Sequence, residues 1–365
     1  METSLLRWQD VAVICLNLAV MVFIGVYFAR KNKSADSYFL ADRTMPGWVV
    51  GVSMMASVIS SMTFLGMPAY TFKEDWRFMP AHFLYILPAM VAFFVVMPYF
   101  RKSQVRSAYE YLEYRYSTWA RLYAAIGFVM GNMFRIGIIL YAVSLVFEQM
   151  VGWDMPLIIV GFGVVVALYT IAGGLEAVIW TDLIQGLSLM LGGIICLPIL
   201  AGLLPGGIEQ IISEAYADGK FGLGSMEFVM SEKTMWVIIL NMQFAFLQFF
   251  CTDQVMVQRY LSIKTDKGAR IALILGTGLS IPVWFYFAFV GSALYVFFKH
   301  FPSEAVSAMQ PESVYPYFIL TTVPAGVAGF VIAALLAAAM STMDSSLNAM
   351  SSTVITDFYR KLGKK

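Results

Sequence analysis

The segment Ser341-Thr342-Met343-Asp344-Ser345-Ser346-Leu347-Asn348 holds four hydroxyls, a carboxylate and an amide, and it closes the apolar run Ala325 to Met340. Such groups are costly at membrane depth, and where they cluster there they mark an ion or substrate path. Oxygen is also the ligand a hard cation such as sodium requires. A second concentration lies in Gly51 to Pro68, with four serines, a threonine, two glycines and a proline in an otherwise apolar stretch. Segments of this kind break as helices near the midplane and turn freed carbonyls toward a coupling ion. The alternative for both segments is close helix packing through small residues, with hydroxyls bonded to their own backbone. Arg135 stands alone inside a third apolar run. A central arginine costs about 2.5–3.5 kcal/mol on insertion scales, so it must face a cavity or a partner. Its planar fork suits a carboxylate, and a structural bridge to an acidic side chain or to carbonyls is the alternative. Together these residues point to ion-coupled transport across a membrane.

The elements that carry them are membrane helices. Of 365 residues 60% are hydrophobic and 13% charged, with a mean hydropathy of +0.75; a soluble domain carries about 25% charge. The reading is an all-α integral membrane protein, one transmembrane domain over residues 1–365. Nine apolar stretches approach the roughly 20 residues a span needs: Asp10–Ala29, Gly47–Phe72, Ala81–Phe100, Leu122–Val151, Pro156–Ile171, Leu175–Leu204, Met235–Val257, Arg270–Phe298 and Ala325–Val354.

Basic residues test that count. With the N-terminus outside, seventeen Lys and Arg fall in inner segments and six in outer ones, leaving Arg135 within a span. The positive-inside rule therefore predicts nine spans in the plasma (inner) membrane, N-terminus out and C-terminus cytoplasmic. Cys15, Cys196 and Cys251 lie in apolar runs, and their odd number argues against a disulfide framework. A net charge of +1 without a basic block gives no sign of nucleic acid. No obligate protein partner is evident; the expected partners are a small solute and the lipid bilayer. Gly207–Tyr216 in the outer loop and Ser107–Tyr116 on the inner side read as interfacial helices.

Four stretches resemble the sodium:solute symporter family, which has a LeuT-like inverted-repeat fold. They are Tyr169 to Gln185 (Tyr-Thr-Ile-Ala-Gly-Gly-Leu-Glu-Ala-Val-Ile-Trp-Thr-Asp-Leu-Ile-Gln), Asp253 to Ser262, Ser107 to Leu112, and Ala339 to Asn348. The resemblance covers nearly the whole chain. It implies one extra helix (10–29), a first five-helix repeat (47–204) and a partial second repeat (235–354) lacking two helices. It also implies sodium ions as the coupling cofactor, held by the carbonyls of Ala56, Ile59 and Ala338 with the hydroxyls of Ser341 and Thr342. Asp182, Asp344 and Ser345 correspond to a second cation site found in the branch similar to bacterial sialic-acid symporters. Asp344 stands where a hydroxyl is common. Pairing of Asp182 with a cytoplasmic base and a wet vestibule around Asp344 are the structural alternatives.

In the same branch the position of Arg135 binds the solute carboxylate. Ser60, Thr63 and His82 are placed to line the same cavity, as are Gln243 and Gln248 from the seventh span; a lone His82 also fits a packing role. The implied activity is import of a carboxylated sugar such as sialic acid, with a neutral sugar or another organic anion as the alternative. A truncated sensor homologue stays open because two helices of the repeat are missing. A channel needs a continuous polar pore, which the midplane clustering does not suggest. An enzyme is disfavoured: His82 and His300 are the only histidines, and no His-Glu-x-x-His or Gly-x-Ser-x-Gly motif occurs.

Overall fold

Backbone groups in hydrocarbon have no water to bond, and a helix pairs them within one segment. The computed structural model describes residues 6–30, 34–103 and 105–362. Among them the chain is helical, with no strand beyond an isolated bridge between Met45 and Ile263. Lys31, Lys33, Lys364 and Lys365, counted above among the inner bases, lie outside the described residues.

In chain order the helices are α1 (Trp8–Ala29), α2 (Ala35–Leu40), α3 (Gly47–Val58), α4 (Met62–Lys73) and α5 (Met79–Ser103). Then come α6 (Glu110–Arg115), α7 (Thr118–Val151), α8 (Met155–Leu203), α9 (Gly207–Ala217), α10 (Met235–Cys251) and α11 (Gln254–Ser262). The last are α12 (Asp266–His300), α13 (Glu304–Ala308), α14 (Pro311–Thr322) and α15 (Val327–Tyr359). Among the described residues α1, α5, α7, α8, α12 and α15 are long and apolar enough to cross a bilayer. Two bent pairs, α3 with α4 at 57° and α10 with α11 at 42°, raise the candidates to eight.

Two stretches carry a break. Pro156–Ile171 and Leu175–Leu204 run together in α8, 49 residues long, as two helices that meet at a kink. Its helical geometry fails at Gly174, whose φ of 61° and ψ of −164° only glycine adopts without strain. The seventh stretch is two helices, because Asp253 ends one and starts the next. Its carboxylate accepts from the Val255 amide at 2.9 Å, the N-cap contact that restarts a helix after a break.

The centre of the bundle is α15, which packs against α1, α3, α7 and α8. Its alanines Ala333, Ala334, Ala337, Ala338 and Ala339 are all buried, as are Leu335 and Leu336 between them, and small side chains let neighbouring backbones close in. The N-terminus of α15 is capped from another helix: Asp10 of α1 accepts from the Gly326 and Gly329 amides at 2.8 Å each. A Cβ on Gly329 would lie 2.4 Å from the Asp10 Cα, so this contact requires glycine.

At the basic end, α6 is tied to both α7 and the end of α15. Glu113 accepts from Arg121 at 2.7 Å and from Thr118 at 2.8 Å, and it is bonded to Lys361. Arg121 also reaches Asp357 at 2.6 Å. The Lys361 ammonium, then the Arg121 guanidinium, hold the Glu113 carboxyl down at about 2. A depressed carboxyl contributes stability above its unfolded value of 4.5 and loses it as the pH falls toward 2. Glu113→Gln is therefore expected to lower the melting temperature at pH 7 by about 1–3 °C, discounted for solvent screening. Thermal melts of both proteins should converge as the pH drops below about 4.5; a gap independent of pH would contradict the pairing.

Candidate functional site

Helix α3 stops at Val58, and Ile59 is extended, with φ −84° and ψ 105°. The break ends the intrahelical pairing of the last carbonyls of α3. Across from it, α15 presents Ser341, whose Oγ donates to the Ala56 carbonyl at 3.0 Å and to the Ala338 carbonyl at 3.2 Å. Thr342 Oγ1 donates to the Ala338 carbonyl at 3.3 Å. Ala56, Ile59, Ala338, Ser341 and Thr342 are all at most 2% exposed. The structure thus brings Ala56, Ala338, Ser341 and Thr342 together, with Ile59 at the break, between a broken span and its hydroxyl-bearing neighbour. Every donor is an uncharged oxygen, which fits a monovalent hard cation. Such an ion would turn the hydroxyl lone pairs toward itself and replace the hydroxyl-to-carbonyl bonds.

Asp182, Asp344 and Ser345 also converge, but a guanidinium lies among them. Arg259 donates to Asp182 Oδ2 and to Ser345 Oγ, each at 2.7 Å. Ser53 donates to the same Asp182 oxygen at 2.5 Å, and Ser57 lies 3.2 Å from Ser345. Tyr169 donates to Asp344 Oδ2 at 2.8 Å, and Ser345 to Asp344 Oδ1 at 3.4 Å. Both carboxylates are fully buried. In this structure the cluster is joined by hydroxyl hydrogen bonds and by the Arg259–Asp182 ion pair. Arg259, which the sequence places with the inner-loop bases, is only 1% exposed. Ser53, Ser57 and Tyr169 were not singled out either. The i, i+4 spacing of Ser53 and Ser57 was the available signal, since it puts both on one helix face.

A cavity of about 1310 Å³ opens beside these clusters, with Asn132, Arg135, Phe246, Gln248, Phe249 and Asp253 in its wall. Tyr99, Lys102 and Tyr111 line it too, which places its mouth at the basic end of the bundle. Arg135 donates to the Ser57 carbonyl at 3.3 Å and sits 5.6 Å over the Phe249 ring. Among the described residues no carboxylate lies within ion-pair distance of it. Of the six solute residues read from the sequence, Arg135 and Gln248 line this cavity; the other four do not. The Ser60 hydroxyl accepts from the Met62 amide at 3.2 Å, inside the break, and Thr63 is buried beside it. Gln243 donates to the Ala81 carbonyl at 3.0 Å. His82 bonds the Phe78 carbonyl at 2.9 Å and packs 4.5 Å from the Trp284 ring, which is the packing role.

Broken spans, a buried oxygen cluster and a cavity with an arginine in its wall fit a multi-pass membrane transporter. Residues 38–365 match the model of the sodium:solute symporter family, and the chain belongs to that family. It is 37% identical to the sodium/sialic acid symporter SiaT of Proteus mirabilis (strain HI4320), over 95% of this chain and 70% of that protein. It is 34% identical to the sodium/sialic acid symporter NanT of Aliivibrio fischeri, over 95% of this chain and 69% of that protein. A solved structure of a sodium-coupled sialic acid symporter, substrate-bound and outward-open, superposes with a TM-score of 0.95 at 36% identity. That match covers 98% of this chain and 75% of the other.

Proposed function

We propose that this chain is a sodium-coupled symporter for a carboxylated sugar of the sialic acid type. The observation that carries the sodium half is the 3.0 Å contact between Ser341 and the Ala56 carbonyl at the break. Sodium held by Ala56, Ile59, Ala338, Ser341 and Thr342 bridges α3 to α15 and favours the arrangement in which the broken span is seated. By linkage, what sodium does for the solute the solute does for sodium. Asp182, Asp344 and Ser345 take a second cation. Arg135 receives the solute carboxylate with Gln248 beside it, while Ser60, Thr63, His82 and Gln243 shape the surrounding core. The names of the relatives, which carry sialic acid, support the choice of solute.

The topology that goes with this reading has nine spans. At about 1.5 Å per residue the 49 residues of α8 would run some 73 Å, more than twice the roughly 30 Å hydrocarbon core. The break at Gly174 therefore divides α8 into two crossings. One extra span precedes a first repeat of five (47–204) and three spans of a second (235–354), with the N-terminus outside and the C-terminus cytoplasmic.

Each charge carried down about 100 mV supplies roughly 2.3 kcal/mol, a little under fiftyfold accumulation. Proteoliposomes holding the chain should take up labelled sialic acid under an inward sodium gradient and show at least about tenfold less uptake with potassium in its place. Uptake of equal rate in both salts, or of a neutral hexose in preference to the acid, overturns the reading.

A further inference from the structure

Arg259 stands on α11, the inner half of the second broken span, yet its guanidinium is spent mostly on other helices. Its Nε donates to Ser53 of α3 at 3.0 Å, and its Nη2 to Asp182 of α8 and Ser345 of α15 at 2.7 Å each. Only Nη1 turns back to its own helix, to the Val255 carbonyl at 2.9 Å. Two of the three side chains assigned to the second cation are therefore already held by a cation that is covalently part of the chain. A hard cation needs its oxygens at about 2.3–2.6 Å. Nη2 lies where an ion shared by Asp182 and Ser345 would sit, so guanidinium and ion exclude each other there.

Charge and hydrogen bonding show why the exchange is feasible. Two buried carboxyl groups, Asp182 and Asp344, share the cluster with one guanidinium, so acidic groups outnumber basic ones there. Asp182 Oδ1 is buried with no hydrogen-bond partner among the described residues. That oxygen thus remains for an ion once the guanidinium leaves.

We propose that Arg259 is a tethered competitor of sodium at Asp182, Asp344 and Ser345. In this conformation the guanidinium fills the cluster; sodium enters it only as α11 withdraws. Because linkage is reciprocal, an ion bound there loosens α11 from α3, α8 and α15. Occupancy of the second site would then set the position of the inner half of the broken span. The proposal rests on the second-cation reading above and is independent of the first sodium site.

Sodium titration of the purified full chain by calorimetry tests it, using Asp182→Asn to identify the step that belongs to this cluster. Arg259→Gln should tighten the Asp182-dependent step by about tenfold or more, within the usual range of coupling between sites. Arg259→Lys keeps a tethered cation and should stay within about threefold of wild type, which a merely structural arginine would not predict. An Asp182-dependent step of unchanged or weaker affinity in Arg259→Gln overturns the competition alone. Absence of that step in both wild type and Arg259→Gln overturns the second site as well. Should Arg259→Gln not fold, amide exchange across residues 254–262 of the wild type reads the same event. Exchange there should be faster in sodium than in potassium, with no such increment in Asp182→Asn; equal exchange in the two salts overturns the proposal.

Discussion

Ser341→Ala is expected to raise the sodium concentration for half-maximal uptake by roughly ten- to a hundredfold. The hydroxyl joins the broken span to α15 through the Ala56 carbonyl at 3.0 Å and is fully buried. A polar contact to a charged partner is worth about 1.5–3 kcal/mol, which corresponds to that range of affinity. Thr342→Ser keeps an Oγ near the Ala338 carbonyl and should change the value little, whereas Thr342→Ala should resemble Ser341→Ala. The double alanine variant should cost less than the sum, because both hydroxyls serve one ion. A packing serine would behave differently. Its loss lowers the melting temperature equally with and without sodium, while loss of a ligand removes the stabilisation that sodium itself confers. Melting curves of Ser341→Ala in sodium and potassium therefore decide the matter. A sodium-induced shift as large as in wild type would show that Ser341 does not hold the ion.

The sequence makes part of this site legible for a physical reason. Hydrocarbon tolerates few oxygens, so the serines of Gly51–Pro68 and of Ser341–Ser346 stand out against their surroundings. That two such stretches face each other is a tertiary fact; here the resemblance supplied it and the Ser341–Ala56 contact agrees. Arg259 shows the limit. A basic residue at the end of an apolar run reads as a loop residue under the positive-inside rule, and only packing reveals that it turns inward to Asp182. The position of the break in the seventh span was equally hidden, because Asp253 is read as a cap only once the helix after it is known. Gly173-Gly174 was legible as an interruption, and the structure puts it at one residue, Gly174, where two helices meet at a kink. For Ser60, Thr63, His82 and Gln243, periodicity fixes a helix face but not what faces it. In the structure they bond or pack within the bundle, while the cavity wall is built further along by Arg135, Gln248 and their aromatic neighbours.

Arg135→Gln is expected to abolish recognition of an acidic solute while leaving the first sodium site intact. The guanidinium carries five N–H donors, yet its one hydrogen bond among the described residues is the 3.3 Å contact to the Ser57 carbonyl. It is held in the wall of the cavity, over the Phe249 ring. A charge kept in a bilayer-spanning helix at this cost, with Asp253 in the same cavity wall but not within ion-pair distance, can receive a carboxylate that arrives with the solute. Truncating one member of a desolvated charge pair costs about 2–5 kcal/mol, so affinity for sialic acid should fall by roughly thirty- to several thousandfold. Arg135→Lys should recover only part of the loss, because a point charge cannot make the two parallel bonds of the planar fork. The methyl ester of the same sugar separates charge recognition from general damage. It should bind wild type weakly and Arg135→Gln about equally, since neither protein has an anion to hold. Sodium titration of the variant should match wild type, because Arg135 touches none of Ala56, Ile59, Ala338, Ser341 or Thr342. If Arg135→Gln binds the acid as tightly as wild type does, the carboxylate is received elsewhere, and the arginine is a structural brace between α7 and the end of α3.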